Sequence, residues 1–246
     1  MTLLTKEIEA NFVAFTQQWK QELSDTMGHL AISEPKFSAS YRRMVSLNAW
    51  REFLSAQVSK ETLQFFVEAQ NDILISHVLA SMGCWRSALN SLRSCIENVG
   101  HCLYYKDHPV ELELWMMAKH RIDFRGLCDY FARHPFLEKS TTAVSGLTLI
   151  RNEFSILSRA VHGSISFRMT GGTGSTSLWN ADVRSLGPWI TRQSKTLTGL
   201  NLFLLAMFRD QIQGTKQPGL RAAASLAIPA SKYDAIKKDI QVALSG

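Results

Sequence analysis

The sequence predicts an all-α fold: an antiparallel bundle of four to five helices with an N-terminal helix, a glycine-rich insertion and a basic C-terminal helix. Apolar residues recur with a period near 3.6 over several long segments, which is typical of amphipathic helices. Short hinges at Gly83 and Pro109 favour antiparallel neighbours. Only Ser164–Leu186 departs from this pattern. Apolar and polar residues alternate there before Gly171-Gly172-Thr173-Gly174, which indicates a small hairpin or a loop.

The first half of the chain predicts an N-terminal helix and then a pair of long helices. Apolar residues at helical spacing predict a helix over Leu4–Met27, and Gly28 can end it. Pro35 predicts a loop over Glu34–Ser40. Ser59 is a suitable N-cap for the next long helix, which reverses at Gly83 into a helix over Cys84–Tyr105.

The second half predicts shorter helices and a long one. Pro109 suits the first turn of a short helix, and Gly163 suits the end of a helix over Ser145–His162. Pro188 is expected to open a long helix that runs to about Gln213, and a final helix is expected over Ser231–Leu244. These elements predict three segments: a helical segment over residues 1–58, the bundle over residues 59–214 and a basic appendage over residues 215–246.

Composition places the protein among soluble, cytoplasmic proteins. The chain has 246 residues, 46% of them hydrophobic and 20% charged, which is enough to bury a sizeable core. Lys6, Glu7 and Glu9 argue against a secretory signal, and the apolar run Leu200–Phe208 is too short to cross a membrane. None of the four cysteines forms a C-x-x-C pair, which argues against a zinc ribbon or a thioredoxin motif. We expect neither a metal nor another cofactor.

The net charge of +6 belongs to the last quarter of the chain. Nine of the 27 lysines and arginines lie beyond residue 182, where only three aspartates accompany them. Such a segment can contact phosphates, with Lys195, Lys237 and Lys238 as candidates, or it can form a solvated helix face. The tail that begins at Pro229 follows a loop with two prolines and is expected to be loosely attached.

Two polar stripes are the strongest indication of a site. Each has members at offsets 0, 4, 7 and 11, so each lies along one side of a helix. The first stripe contains Arg86, Asn90, Arg93 and Glu97, and the second contains Arg151, Ser155, Ser158 and His162. Together they predict a polar seam between two otherwise apolar helices.

His162 is the best single candidate for chemistry in this seam. It would lie at the C-terminal end of its helix, where the helix dipole favours the protonated imidazole. With Arg159 and Arg151 holding a phosphate, His162 can act as general acid or base in metal-independent RNA cleavage. Alternatively, His162 caps carbonyls at its own helix end and Arg151 pairs with Glu97.

Two stretches resemble a known family. Leu157–Gly163, preceded by Arg151-Asn152, resembles the signature helix of the HEPN superfamily, and Arg86–Glu97 resembles the helix that pairs with it. The resemblance implies a helical component of a bacterial antiphage defence or toxin system that binds RNA or another nucleic acid. Under it, the catalytic residues are His162, Arg159 and Arg151; Arg86 and Arg93 join the lysines in binding nucleic acid; and the supporting residues are Glu97, Asn152 and Ser158.

The spacing departs from the nuclease motif of that superfamily. There a histidine follows an arginine and a polar residue after a gap of about four to six residues. Here His162 lies ten residues after Asn152, while only Ala160 and Val161 separate it from Arg159. This leaves open a second hypothesis, in which the chain is a non-catalytic module that forms a homodimer or larger assembly, or docks a partner defence protein.

Overall fold

The structure is a computed structural model that describes residues 3–162, 183–213 and 216–244, and it confirms the all-α class. These residues form twelve α-helices and one 3₁₀ turn, and no strand occurs among them. Residues 164–182 of the predicted glycine-rich insertion lie outside the described residues. Its last four positions, 183–186, are helical instead.

The helices follow one another with short connections. The first six are α1 (Leu3–Ala31), α2 (Glu34–Leu54), α3 (Lys60–Ser81), α4 (Trp85–Asp107), α5 (Pro109–Met116) and α6 (Phe124–Phe131). The others are α7 (Pro135–Glu138), α8 (Leu147–Val161), α9 (Val183–Met207), α10 (Arg209–Ile212), α11 (Pro218–Ser225) and α12 (Tyr233–Ile240), with the 3₁₀ turn at Ala230–Lys232.

The hairpin of α3 and α4 is the pair that the sequence predicts. The Ser59 hydroxyl accepts a hydrogen bond from the backbone N–H of Thr62 and so caps the start of α3. Gly83 has a φ of +75°, a conformation that most side chains avoid, and it allows the chain to reverse. The two helices then pack along their length, which places the polar stripe of α4 toward α8.

Several predicted boundaries are wrong, and two of them involve proline. Pro35 lies in the first turn of α2 rather than in a loop, where its missing N–H costs no hydrogen bond. Pro188 lies inside α9, five residues after the first described residue of that helix. Gly28 does not end α1, which continues to Ala31. The long helix predicted to run to about Gln213 ends at Met207, and the final helix is Tyr233–Ile240 rather than Ser231–Leu244.

Buried polar side chains join the helices within one core. A single cluster of buried apolar residues extends from Met44 to Leu244 and so draws on all three predicted segments. Within it, the Trp50 indole donates to Asn201 Oδ1 at 2.9 Å, and the Trp189 indole donates to Ser76 Oγ at 3.1 Å. These bonds fix α9 against α2 and α3, because an unsatisfied indole N–H in the core would be costly.

The C-terminal segment belongs to this core, which corrects the expectation that it is loosely attached. Ile236, Ile240, Val242 and Leu244 are buried, and Asp239 accepts hydrogen bonds from the N–H and hydroxyl of Thr141. The basic residues of the segment therefore belong to a packed helix.

Within the described parts of the chain, no helix combines the length and the apolar character that crossing a membrane requires.

Candidate functional site

The two predicted polar stripes meet where α4 packs against α8. Arg93 is the centre of this contact: its Nε donates to Ser158 Oγ at 3.1 Å, and its two terminal nitrogens donate to the two Glu97 oxygens at 2.8 and 3.1 Å. The structure therefore brings together three predicted site residues: Arg93, a candidate for binding nucleic acid, and the two supporting candidates Glu97 and Ser158. We call these three residues the Arg93 network.

An aromatic surface holds the guanidinium of Arg93 in place. Its central carbon lies 4.5 Å from the ring centre of Phe154, which in turn stacks on Phe124 with ring centres 3.7 Å apart. Burial raises the pKa of Glu97, and the positive charges of Arg93 and Arg121 oppose that rise. The hydrogen bonds of Arg93 thus point into the protein, and its main observed role is to join α4 to α8.

Arg86 binds the C-terminal end of α8. Its Nε donates to the carbonyl of Ala160 at 2.7 Å, and one terminal nitrogen donates to that of Val161 at 3.0 Å. These carbonyls lack helical partners, and a cation is favourable at this end of a helix. Arg86 therefore fills the capping role that the sequence analysis considered for His162.

The three candidate catalytic residues are exposed on α8, but they do not converge. Arg151 and His162 share a side of the helix, yet eleven residues separate them, which is about 16 Å along the axis. Arg159 is one turn from His162, and residues three apart are neighbours on a helix surface, so these two are the members of the set that lie close together. Within the described part of the chain, no side chain of the three forms a hydrogen bond or an ion pair, although the backbone N–H of His162 donates to the Ser158 carbonyl at 3.0 Å. The alternative pairing of Arg151 with Glu97 is not observed, because Arg93 binds Glu97.

A cleft forms beside α8, between α9 and the segment before α12. Its volume is about 450 Å³. Two candidate residues, Asn152 and Lys195, line it together with Lys232, which the sequence analysis did not include in the site. Hydroxyls from Thr142, Thr148 and Ser194 also line it, and none of its lining residues is Asp or Glu. We call this feature the basic cleft.

A buried ion pair between Glu153 and Arg192 lies beside the cleft. Glu153 is only 2% exposed, and one nitrogen of Arg192 contacts both of its oxygens at 3.0 Å. Burial raises the pKa of Glu153, although the charges of Arg192 and Lys195 act against that rise. Arg192 is thus the direct partner of the Glu153 carboxylate. Lys195 is exposed in the cleft and does not form that ion pair.

The remaining candidates, Lys237 and Lys238, are exposed on the last turn of α12. Asp239 on the same helix binds Thr141, which is adjacent to Thr142 of the basic cleft. Lys232, just before α12, donates to the carbonyl of Ala143 at 3.3 Å. The C-terminal lysines therefore lie on an element that is attached at the edge of the cleft.

A second polar cluster, which sequence reasoning missed, joins α4 to α6 and α7. Asp107 accepts hydrogen bonds from Lys106 and from the Tyr130 hydroxyl, and His134 lies 3.4 Å away. Burial tends to raise the pKa of Asp107, but His134, Lys106 and Tyr130 outweigh it and hold that pKa well below its usual range. No spacing rule connects residues so far apart in the chain.

Among the described residues, no three His, Cys, Asp or Glu side chains lie close enough together to hold a metal ion. Neither a protein-family model, nor a curated protein, nor a solved structure gives a significant match to this chain. The resemblance to the HEPN superfamily therefore stays a prediction from short motifs.

Proposed function

We propose that this protein binds nucleic acid through phosphate contacts in the basic cleft, with RNA as the expected ligand. The observation that carries this proposal is the convergence of Asn152, Lys195 and Lys232 from three separate parts of the chain on one cleft. Ammonium, amide and hydroxyl groups are the side-chain donors that bind phosphate oxygens in such complexes.

The charge of the chain supports the same ligand. Residues 1–182 balance their charges, so the excess of +6 comes from the part of the chain that supplies Lys195, Lys232, Lys237 and Lys238. A positively charged cleft concentrates a polyanion near the surface and speeds its association. The HEPN resemblance favours RNA over DNA within this class.

The proposal is for binding without a cleavage step. General acid–base catalysis requires the histidine and the phosphate-binding groups to reach one phosphodiester. Arg159 alone of the candidate arginines is a neighbour of His162 on α8. Arg151 lies too far along the helix from His162, and the guanidinium groups of Arg86 and Arg93 donate to other residues of the protein.

Fluorescence anisotropy with a labelled single-stranded RNA tests the proposal. We expect Lys195→Glu to weaken binding by about tenfold or more and to lower the dependence of log K on log salt by about 0.7 per lost contact. Lys119→Glu is the matched control, since it makes the same charge change at an exposed lysine outside the cleft. Equal loss of affinity in both variants, or none in either, contradicts a specific role for the cleft.

The second candidate function is that of a non-catalytic interaction module. One observation favours it: α1 exposes large apolar side chains, among them Leu4, Ile8 and Phe12. An exposed apolar stripe of this kind marks a surface that binds another protein. The two functions involve different parts of the molecule, so they do not exclude each other.

A further inference from the structure

A second cavity, of about 340 Å³, lies at the connection between α2 and α3. Residues 55–59 and Thr62, in the first turn of α3, form part of its lining. The end of α4 and the start of α5 complete the lining with Tyr105, Lys106, Pro109 and Leu112. Its volume is within the range of about 300–1,000 Å³ that small-molecule sites occupy. It has no lining residue in common with the basic cleft.

The Tyr105 hydroxyl makes this cavity a candidate binding site. Tyr105 is only 1% exposed, and within the described part of the chain its hydroxyl has no hydrogen-bond partner. A buried hydroxyl without a partner is costly, so a molecule that supplies the missing partner gains that cost back on binding. Because Tyr105 is part of the lining, a molecule in the cavity can be that partner.

The neighbouring hydroxyls of the lining are already bonded within the protein. The Ser55 hydroxyl donates to the carbonyl of Glu52 at 2.6 Å, and the Ser59 hydroxyl donates to Thr62 Oγ1 at 3.1 Å. Among the buried polar side chains of the described lining, Tyr105 is therefore the one with a hydrogen bond still to make.

The ring of Tyr105 is held in position, and its hydroxyl is a donor. Phe65 stacks on the ring with centres 5.2 Å apart, and Tyr104 meets it edge-on at 5.3 Å. A hydroxyl on a fixed ring binds a partner with little further loss of side-chain freedom. Burial raises the pKa of Tyr105 to about 12, and Tyr104 and Glu111 act in the same direction, so the hydroxyl keeps its proton at neutral pH.

The charges around the cavity favour a neutral ligand. Lys106, the cation of the described lining, lies 2.6 Å from Asp107 and is neutralised by it. The negative charge of Glu111 reaches Tyr105, which opposes an anion at the hydroxyl. A cation would find no carboxylate in the described lining, because none of its residues is Asp or Glu.

We propose that this cavity binds a small neutral molecule whose carbonyl oxygen accepts a hydrogen bond from the Tyr105 hydroxyl. A carbonyl offers two lone pairs and no donor, whereas an alcohol would bring a donor that needs a partner of its own. Ala56, Val58, Pro109 and Leu112 offer apolar contacts to the rest of such a molecule. The site is separate from the nucleic-acid function proposed above and does not depend on it.

An NMR titration with N-methyl-2-pyrrolidone, a neutral cyclic amide without N–H groups, tests the proposal. We expect millimolar binding, with shifts concentrated at the lining residues. Tyr105→Phe keeps the ring and removes the hydroxyl, so it should weaken binding by about five- to tenfold. Tyr41→Phe is the matched control, since it removes a hydroxyl from an exposed tyrosine outside the cavity. Acetate and methylammonium, as charged probes, should bind at least about tenfold more weakly than the amide.

The melting temperature of the free protein gives an independent measurement. Because Tyr105→Phe removes a buried hydroxyl that lacks a partner, it should raise the melting temperature by about 1–4 °C. An unchanged or lower melting temperature would mean that the hydroxyl is already satisfied in the free protein, by water or by the chain, and would overturn the proposal.

A variant that fills the cavity tests its location without altering the core. Ala56 is an exposed residue of the lining, so Ala56→Trp should cover the cavity and weaken binding of the amide by about tenfold or more. Circular dichroism shows whether each variant keeps its helix content. Equal affinity of the wild type and Tyr105→Phe, tighter binding of acetate or methylammonium than of the amide, or full affinity in Ala56→Trp overturns the proposal.

Discussion

Arg93 is the side chain on which the contact between α4 and α8 depends most. It makes charge-assisted hydrogen bonds to Glu97, bonds Ser158 and lies over Phe154. We expect Arg93→Ala to lower the free energy of unfolding by about 2–3 kcal/mol, because Glu97 loses its partner at a half-buried position and the ring loses its cover. Thermal denaturation measures this loss.

Arg159→Ala is the control for that experiment. Arg159 is an exposed arginine on α8 that forms no hydrogen bond within the described part of the chain, so its removal should change stability by less than about 0.5 kcal/mol. If Arg93→Ala leaves the melting temperature unchanged but abolishes RNA binding, Arg93 is a ligand-binding residue and its structural assignment fails.

Asp72 on α3 is expected to make the folded protein less stable as the pH rises from about 4 to about 6. Its pKa is raised to about 6: burial is the main cause, the negative charges of Glu68 and Glu97 act in the same direction, and the hydrogen bond from Asn98 acts against them. A carboxyl with a raised pKa in the folded state contributes most stability below its unfolded pKa near 3.8 and loses it as pH rises to about 6. At neutral pH, the charged Asp72 therefore destabilises the fold.

Replacing that charge should stabilise the protein at neutral pH. Asp72→Asn keeps an oxygen for the 2.8 Å bond from Asn98, and we expect a gain of about 1–3 kcal/mol at about pH 7.5 that disappears near pH 4. Melting temperatures of both proteins across this range measure the gain. Asp129→Asn, at an exposed aspartate, should show no such trend. A constant difference at every pH would argue against titration of Asp72.

Helical spacing predicted which residues share a side, but it could not predict what each of them binds. The offsets correctly placed Arg93 and Ser158 on the surfaces that meet. They did not identify Phe154 as the cover of the guanidinium or Arg86 as the cap of α8, because those contacts depend on how two helices lie against each other. The basic cleft was missed for the same reason, since Lys232 reaches it from a distant part of the chain.

The start of α8 rests on a close approach between two helices. Gly146 has a φ of +72°, and a Cβ there would clash with the backbone carbonyl of Gly199 on α9. We expect Gly146→Ala to destabilise the protein by about 2–4 kcal/mol, since the residue can neither adopt the backbone conformation easily nor fit the space. Chemical denaturation gives this value.

Gly28→Ala, inside α1, is the matched substitution. Apart from its chain neighbours and the backbone of its own helix, no described atom lies within 4 Å of the added Cβ, so it should be neutral or stabilise the helix by up to about 1 kcal/mol. Similar destabilisation by both variants would mean that loss of glycine alone, rather than the α8–α9 contact, explains the effect.

Helix boundaries were harder to predict than helix existence. Pro35 was interpreted as part of a loop, but a proline fits the first turn of a helix as well as a loop, and the local sequence does not distinguish the two. Pro188 was interpreted as a helix start, yet it lies inside α9, where its missing N–H removes one helical hydrogen bond. Packing decides: Trp50 and Trp189 fix α2 and α9 in the core through bonds to Asn201 and Ser76. Their partners lie more than 110 residues away, beyond the reach of local patterns.

The whole molecule separates an acidic helix from a basic cleft. Helix α1 carries excess negative charge and contributes only Thr26 and Leu30 to the interior, whereas the cleft depends on α8, α9 and the C-terminal segment. Because α1 carries excess negative charge, it repels phosphate, so a bound polyanion is expected along the basic cleft rather than along α1. This separation also predicts that substitutions in one region leave the other unaffected.

The C-terminal segment combines packing and charge, so it cannot be removed to test charge alone. Truncation after Ile228 deletes the buried side chains of Ile236, Ile240, Val242 and Leu244. At about 1.5–3 kcal/mol for each, their loss approaches the roughly 5–15 kcal/mol that stabilises a whole domain. We expect the truncated chain to be insoluble or largely unfolded by circular dichroism.

The double variant Lys237→Gln/Lys238→Gln removes positive charge from the C-terminal segment without removing buried side chains. Both lysines are exposed, so the fold should keep its melting temperature within about 2 °C, while the salt dependence of RNA binding should become shallower if these lysines contact phosphates. An unchanged salt slope would limit the phosphate contacts to the cleft itself. A truncated chain that melts cooperatively like the wild type would show instead that the four buried residues contribute little, because the core can close without them.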